Sequence, residues 1–384
     1  MASIELSGVT KSFGKVKALD NISLEIKDKE FFVLFGPAGA GKTTILNIIA
    51  GIHVPEEGVV KINGEIVNTV EPQNRDVAMV FENYALYPHL KVYDNIASPL
   101  RSPKHKKDEA TIKETVTRVA ALLKIDHLMD RLPVQLSNGQ RQRVALGRAL
   151  VRYPNVYLMD EPLAHLDAKM RNLMRGELKI IQHNFDTTAI YVTHDFMEAM
   201  SLSDRIAVIN EGKIVQIGTS DEIYYLPCSE FVAQLMGDPE INLLDCTLDT
   251  SSANYKVNMT GFGVDFTLPT DNDVYSKLKT HDKAQLRMGI RPQDISYSFE
   301  PTDGYTKGVL YSYETIGNKS VITAMVNNDT EVRVVAPNGL KVKLDQDVFL
   351  KLGLDQLLFF DGETRDFICR YNEATVRSLA AEGA

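Results

Sequence analysis

Apolar residues follow two different patterns along the chain, and the change between them falls near residue 240. Before that point, short all-apolar runs alternate with longer segments in which apolar residues recur every three or four positions. The short runs are typical of strands buried on both faces, and the longer spacing is typical of amphipathic helices. The runs lie at residues 31–35, 77–81, 156–159 and 189–193. This alternation predicts an α/β fold with a mostly parallel sheet.

The N-terminal segment of this first part has a different pattern from the rest. Residues 4–9 and 19–26 alternate between apolar and polar positions, and Asn63-Gly64 is a typical hairpin turn, so we predict a small antiparallel sheet near the N-terminus. We expect a turn at residues 9–14 that exposes Phe13.

Residues 91–134 also differ from the rest of the first part, and we predict that they form an inserted helical subdomain. The amphipathic spacing is carried by Ile112, Val116, Val119, Leu122 and Leu123. Further helices are predicted at residues 140–152, with Ser137 as the N-cap, and at residues 168–183.

From residue 242 onward, short β-like runs are separated by turn residues, which predicts an all-β domain. Gly-Asp-Pro at residues 237–239 interrupts the earlier pattern. We therefore divide the chain into a domain at residues 1–237, a β domain at residues 238–372 and a polar tail at residues 373–384.

The composition is that of a soluble globular protein, with 42 basic and 51 acidic side chains and a net charge of -9. A nucleic-acid-binding protein needs a basic surface, so we expect no nucleic-acid partner. The three cysteines have no CxxC spacing, which argues against a disulfide framework or a zinc site. No apolar run approaches the roughly 20 residues of a membrane span, so another chain would have to hold this protein at a membrane.

The strongest chemical motif is Gly36-Pro37-Ala38-Gly39-Ala40-Gly41-Lys42-Thr43-Thr44, which lies between a predicted strand and a predicted helix. Glycines let successive backbone N–H groups point inward around an anion, and the helix N-terminus adds its positive dipole end. Lys42 supplies a mobile charge for the outer phosphates, and the Thr43 hydroxyl can bind Mg²⁺. This motif predicts a nucleotide-binding loop.

Polar residues follow two of the buried strands. Asp160 and Glu161 end the run at residues 156–159, and His194 ends the run at residues 189–193. Parallel strands place such residues at one edge of the sheet, where one carboxylate can hold Mg²⁺ and the other can activate water. Asp160 and Glu161 could instead belong to a simple turn, and His194 could be a structural residue. The phosphate-binding motif favours the catalytic interpretation of these residues.

Segment 136–150 reads LSNGQRQRVALGRAL. It resembles the signature and following helix in the ATP-binding subunits of ABC transporters, in the carbohydrate-importer subgroup typified by the maltose and glycerol-3-phosphate importer ATPases. The resemblance runs to about residue 371. It implies a P-loop ABC cassette with an inserted helical subdomain, followed by an all-β, OB-like (TOBE) regulatory and dimerisation domain. Gly289-Ile290-Arg291-Pro292 and Phe360-Asp361-Gly362 resemble motifs of that domain.

The resemblance also implies roles for residues that bind the nucleotide. Phe13 would stack on the adenine of ATP, and residues 36–44 would cradle its phosphates. Thr43 and Asp160 would hold Mg²⁺, Glu161 would be the general base, and His194 would be the switch histidine that contacts the γ-phosphate.

The same resemblance implies partners. Two cassettes would pair head to tail, so that Ser137-Asn138-Gly139-Gln140 and Asp167 contact ATP bound to the partner. Two transmembrane permease subunits would dock near residues 84–89 and the helical subdomain, and they would hold the chain at the cytoplasmic face of the plasma (inner) membrane. Core packing is an alternative role for the aromatic residues of this run. An external solute-binding protein would be an indirect partner, and the solute would be a sugar, polyol or glycerol-phosphate-like compound.

Two residues depart from the family pattern. Glu82 replaces a glutamine that contacts Mg²⁺ and the attacking water. A carboxylate there can bind Mg²⁺ at least as well, so Glu82 would join Thr43 and Asp160 as a ligand, but it adds negative charge near the γ-phosphate. Asn138 replaces a glycine, and asparagine tolerates a left-handed backbone, so we expect the signature loop to keep its shape. These differences lead to the hypothesis that the second ATPase subunit is a non-identical chain.

Two other functions stay open on the sequence. The chain could be a nucleotide-binding partner of low intrinsic turnover in such a heterodimer, which Glu82 favours. It could also be an ABC ATPase outside transport, in translation or DNA repair, although the sequence has neither the fused cassettes nor the heptads typical of those proteins.

Overall fold

The computed structural model describes residues 3–152, 154–185, 187–249, 256–259, 262, 265–267, 273–281, 285–317, 319–327, 329–371 and 373. The chain divides into two compact units, residues 1–220 and 221–384. Of the predicted polar tail, residues 374–384 lie outside the described residues.

The first unit combines two sheets with six helices among its described residues. Its strands are β1 (Ile4–Phe13), β2 (Val16–Ile26), β3 (Phe31–Phe35), β4 (Glu57–Ile62), β5 (Glu65–Ile66), β6 (Val77–Val80), β7 (Val156–Asp160), β8 (Thr188–Thr193), β9 (Arg205–Asn210) and β10 (Lys213–Gly218). Its helices are α1 (Lys42–Ala50), α2 (Val92–Arg101), α3 (Glu109–Leu122), α4 (Asn138–Leu150), α5 (Ala168–Phe185) and α6 (Phe196–Leu202).

The central sheet has the order β10-β9-β3-β8-β7-β6. The strands from β9 to β6 are parallel, and β10 pairs antiparallel with β9 at one edge. Every residue of β3, β7 and β8 is buried, as their all-apolar runs predict. The prediction that β6 is buried on both faces is wrong, because β6 is the other edge strand and Val77 and Met79 are only half-buried.

The predicted antiparallel sheet is confirmed, with the order β2-β1-β4-β5 and a hairpin turn at Asn63-Gly64. The predicted end of the first strand at residue 9 is wrong. Strand β1 continues to Phe13 because it stays paired with β2 through three shifts of register, and the turn follows at residues 14–15.

The predicted helical segment at residues 91–134 contains α2, α3 and two short 3₁₀ turns. The Asp108 side chain caps α3 by accepting a hydrogen bond from the backbone N–H of Thr111 at 3.0 Å. The apolar face of this segment is buried at Ile112, Val116, Val119 and Leu123, whereas Leu122 is half-buried.

The second unit is built from antiparallel strands. They are β11 (Asn242–Asp249), β12 (Lys256–Met259), β13 (Asp265–Thr267), β14 (Gln285–Ile290), β15 (Ile295–Ser298), β16 (Thr306–Ile316), β17 (Lys319–Val326), β18 (Thr330–Pro337), β19 (Asp347–Leu352), β20 (Leu358–Asp361) and β21 (Phe367–Arg370). Two sheets have the orders β13-β12-β11-β14-β20-β21 and β15-β19-β16-β17-β18.

Three short helices, α7 (Ser220–Tyr225), α8 (Glu230–Leu235) and α9 (Asp273–His281), add to the strands of the β-rich half. Arg291, from the Gly-Ile-Arg-Pro motif, ties the first two helices to the strands. Its guanidinium lies 3.6 Å from the centre of the Tyr224 ring and donates hydrogen bonds to the carbonyls of Tyr224 and Met236. The motif therefore has a structural role inside this unit.

Candidate functional site

The glycine-rich loop joins β3 to α1 in a backbone conformation that other residues would not adopt. Gly36 has a φ of 154°, and a Cβ there would lie 2.1 Å from the carbonyl oxygen of Ile209. Gly41 caps α1 with a φ of 104°, and a Cβ there would lie 2.7 Å from the carbonyl oxygen of Ala18. The glycines thus let the loop pass close to its neighbours while it opens the helix N-terminus.

Lys42 points back into the hollow of this loop. Its Nζ donates hydrogen bonds of 2.8 Å to the carbonyls of both Gly36 and Pro37. Burial lowers the pKa of Lys42, and the nearby charges of Glu161 and Asp160 act in the opposite direction. The loop therefore holds a cation where a phosphate would enter.

Asp160, the last residue of β7, lies beside the start of α1. The Thr43 hydroxyl donates a 3.1 Å hydrogen bond to its Oδ1 atom. Burial raises the pKa of Asp160 to about 6, and the charges of Glu82 and Glu161 add to this increase, while the Thr43 hydrogen bond and Lys42 oppose it.

A hydroxyl and a buried carboxylate are hard oxygen ligands, which fit Mg²⁺. In the described part of the chain, no group of three or more His, Cys, Asp and Glu side chains has the arrangement of a metal site. Proteins usually bind Mg²⁺ through one or two carboxylates together with substrate phosphates. Glu82 is exposed and acts on Asp160 through its charge.

Glu161 and His194 meet at the ends of β7 and β8, where the Nδ1 atom of His194 lies 3.0 Å from the Oε1 atom of Glu161. Glu161 has a φ of 45°, a left-handed conformation uncommon for a non-glycine residue. Its backbone is held from two sides, since its N–H donates to the carbonyl of Val192 and its carbonyl accepts from Gln142 of α4. The neighbouring elements thus hold the carboxylate at the sheet edge.

The signature segment begins α4 with a capping box. The Ser137 hydroxyl accepts a hydrogen bond from the Gln140 N–H at 3.3 Å, and the Gln140 side chain accepts from the Ser137 N–H at 3.0 Å. The predicted N-cap is confirmed, but α4 starts at Asn138 and not at Gln140. Asn138 is therefore helical. The tolerance of asparagine for a left-handed backbone, which we expected to preserve the loop, is not needed at this position.

The remaining predicted residues lie at the surface of the first unit. Phe13 is 46% exposed, and its ring contacts His53 edge-on at 5.2 Å between ring centres. Asp167 caps α5 by accepting a 2.9 Å hydrogen bond from the N–H of Met170. Gly139 lies next to residues 165–166, so the signature and the segment before α5 are neighbours.

Comparisons with known proteins relate this chain to one family. Residues 19–164 match the family described as ABC transporter. The chain is 44% identical over 381 residues to the trehalose/maltose import ATP-binding protein MalK of Thermococcus litoralis, covering 95% of this chain and 99% of that protein. It is 40% identical to the sn-glycerol-3-phosphate import ATP-binding protein UgpC of Chromobacterium violaceum, over 99% of this chain and the whole of that protein. The chain belongs to the ATP-binding subunits of ABC transporters.

An ABC transporter subunit of this kind is an ATPase coupled to transport, and a solved structure agrees with the cassette fold. The post-hydrolysis dimer of the ATP-binding cassette MJ0796 bound to ADP and Pi matches with a TM-score of 0.53 and 30% identity. The match covers 56% of this chain and 98% of MJ0796. None of the helices in the described part of the chain has the length and apolar character needed to cross a bilayer.

Three polar residues around the ABC site were not identified from the sequence. Gln142 donates to the backbone carbonyl of Glu161, Arg171 donates to Asp195 next to His194, and Arg148 donates to the carbonyls of residues 84 and 85. Each is a polar residue on a helix, and only its long-range partner distinguishes it from a surface residue.

Proposed function

We propose that this ABC ATPase hydrolyses ATP between two cassettes to drive import of a sugar, a polyol or a glycerol-phosphate-like solute. The observation that supports the chemistry most directly is the pairing of Glu161 with His194 beside Lys42, Thr43 and Asp160. The names of the relatives, which are import proteins for trehalose/maltose and sn-glycerol-3-phosphate, support the solute class. They do not favour a function outside transport.

The loop at residues 36–44 binds the phosphates of ATP, with Lys42 at the outer phosphates and Phe13 against the adenine. Thr43 and Asp160 hold Mg²⁺, and the carboxylate of Glu82 stands near them. The ion neutralises phosphate charge when it is bound.

Glu161 takes the proton of the attacking water, and His194 contacts the γ-phosphate. The two side chains orient each other, because the tautomer of His194 with its proton on Nδ1 donates to the Glu161 carboxylate.

The partner is a second ABC ATPase, and the two bind head to tail. Residues 137–140 and Asp167 reach the nucleotide of the partner subunit. Ser137, Asn138 and Asp167 are exposed and Gly139 and Gln140 are half-buried, and the dimeric MJ0796 structure supports the pairing of two cassettes. Glu82 and Asn138 support the narrower hypothesis that this partner is a non-identical chain. In this arrangement a subunit of low turnover could be one half of the pair.

Permease subunits dock beside residues 84–89. A cavity of about 600 Å³ opens there, and residues from β6, α2 and α4 contribute to its lining. Tyr87 is 47% exposed, and Arg148 lies over its ring at 5.5 Å while it holds the backbone of this segment. Two permease subunits would thereby hold the chain at the cytoplasmic face of the inner membrane, with a solute-binding protein as an external partner.

Purification of the intact complex from its native membrane tests this proposal. We expect membrane-spanning permease chains and a second ATPase to co-purify with the chain, and ATP hydrolysis to increase when the transported solute is supplied with its binding protein. Absence of membrane-spanning chains would overturn the transport assignment. A complex with only this one ATPase polypeptide would overturn the heterodimer and leave the importer assignment intact.

A further inference from the structure

One arginine of α5 contacts both loops that flank the catalytic edge of the sheet. The Nη1 atom of Arg171 donates a 3.3 Å hydrogen bond to the Oδ2 atom of Asp195, the residue after His194. The Nη2 atom lies 3.5 Å from the carbonyl oxygen of Ala164 and 3.4 Å from that of Leu166. These contacts are long and individually weak, but a single guanidinium makes all of them.

The loop after β8 presents acidic side chains to the Arg171 guanidinium. Asp195 uses its Oδ1 atom to cap α6, accepting from the N–H groups of Met197 and Glu198, so that Oδ2 remains directed at Arg171. The Oε1 atom of Glu198 lies 3.8 Å from the Nε atom of Arg171. Asp195 at the N-cap of α6 and Glu198 in its first turn thus face the same arginine.

Glu198 connects this arrangement to the sheet. It is 3% exposed, and its Oε2 atom accepts hydrogen bonds from the Tyr191 hydroxyl at 2.9 Å and the Thr193 hydroxyl at 2.7 Å. Burial raises the pKa of Glu198, and the charge of Asp195 adds to the increase while Thr193, Tyr191 and Arg171 oppose it. Without the arginine, two carboxylates would face each other in a partly buried site.

The arginine also shares a small space with the proposed catalytic pair. A cavity of about 50 Å³ is lined by Glu161, Ala164, Arg171, Thr193, His194, Asp195 and Glu198. A shift of either loop would therefore change the surroundings of Glu161 and His194.

We propose that Arg171 is a positioning residue that couples the segment at residues 164–167, which faces the partner cassette, to the loop that carries His194. This inference rests on the proposed roles of Asp167 and His194. A planar fork suits the task, because one terminal nitrogen can bind a carboxylate while the other binds two carbonyls. Movement of the 164–167 segment on assembly with the partner would pass to His194 through this one side chain.

Substitution of Arg171 in the full complex tests the coupling. Arg171→Ala is expected to lower kcat for ATP hydrolysis at least about tenfold while KM for ATP stays within about twofold, because catalytic alignment is lost and the phosphate loop is untouched. Arg171→Lys, which keeps the charge but lacks the fork, is expected to recover only part of the rate. Arg175→Ala is the matched control, since Arg175 lies one turn later on α5 and contacts Asn172 of the same helix.

A kcat for Arg171→Ala within twofold of that of the Arg175→Ala control would overturn the proposal. The proposal would also be overturned if Arg171→Ala lowered the affinity for ATP as much as it lowered kcat and reduced thermal stability too. That result would show a purely structural role.

A double-mutant cycle separates this inference from the proposed catalytic site. If Arg171 acts through His194, Arg171→Ala has little further effect on single-turnover hydrolysis in a His194→Ala background. Fully additive losses would overturn the coupling and leave the role of His194 intact. Unchanged hydrolysis by His194→Ala alone would instead overturn the proposed catalytic role of His194.

Discussion

The Nδ1 atom of His194 lies 3.0 Å from the Oε1 atom of Glu161, so the ends of two adjacent parallel strands are joined by their side chains. The His194 side chain is 61% exposed, whereas that of Glu161 is 21% exposed. The less exposed carboxylate is therefore oriented by a histidine that remains accessible to a nucleotide. This arrangement leads to separate predictions for the two residues.

Replacing Glu161 by glutamine keeps the shape of the side chain and removes its ability to accept a proton. We expect Glu161→Gln to bind ATP within about threefold of the wild-type affinity and to lose about 10²- to 10⁴-fold in kcat. Equilibrium binding and steady-state hydrolysis by the full complex measure the two quantities. Glu65→Gln, at an exposed position of β5, is the control, and undiminished hydrolysis by Glu161→Gln would exclude Glu161 as the base.

Replacing His194 separates the orientation of Glu161 from the contact with phosphate. His194→Ala removes both functions, and we expect a fall in kcat of about a hundredfold. His194→Asn keeps a side-chain N–H that can reach the Glu161 carboxylate, so we expect it to retain more activity than the alanine variant. If both variants hydrolyse ATP at the wild-type rate, His194 has no part in the reaction.

We expect Asp160 to make nucleotide binding depend on pH. Burial raises the pKa of Asp160 to about 6, so the carboxylate takes up a proton as the pH falls through that value. Because a Mg²⁺ ligand must be deprotonated, we expect the Mg²⁺-dependent part of ATP affinity to fall about tenfold per unit below about pH 6. Calorimetric titration over that range measures the slope, and a flat profile would contradict the role of Asp160.

The raised pKa of Asp160 also affects folding stability, and there the effect of rising pH is opposite to its effect on nucleotide affinity. Between the ordinary pKa of 3.8 and the folded value of about 6, folded Asp160 binds more protons than the unfolded chain does. Its contribution to the free energy of unfolding therefore decreases as the pH rises through this window. Asp160→Asn removes this contribution, so thermal unfolding of the variant should be less sensitive to pH than that of the wild type.

Glu82 places an additional negative charge near Asp160, and that charge helps to raise the pKa of Asp160. We expect Glu82→Gln to lower this pKa and to increase the affinity for Mg²⁺·ATP about two- to fivefold at neutral pH. The amide can also donate a hydrogen bond to the attacking water, so hydrolysis should rise as well. Reduced affinity in the variant would show instead that Glu82 binds the ion directly.

The local sequence pattern is sufficient to predict a feature that depends on residues close together in the chain. The glycine-rich loop needs glycine at Gly36 and Gly41 because a Cβ would meet backbone atoms there, and that requirement is visible as a spaced motif. The capping box of Ser137 and Gln140 is likewise a contact over three residues. Buried strands such as β3 and β7 were predicted because a strand covered on both faces is apolar throughout.

The sequence by itself thus determined the fold class, the glycine-rich loop between β3 and α1, and the polar residues at the strand ends. Only the tertiary structure decided that β6 is an edge strand and that Arg171 bridges residues 164–166 and Asp195. An arginine on a helix has the same local pattern whether it faces solvent or two acidic partners. Its role depends on which loops the sheet places beside it, and those contacts form only when distant parts of the chain pack together.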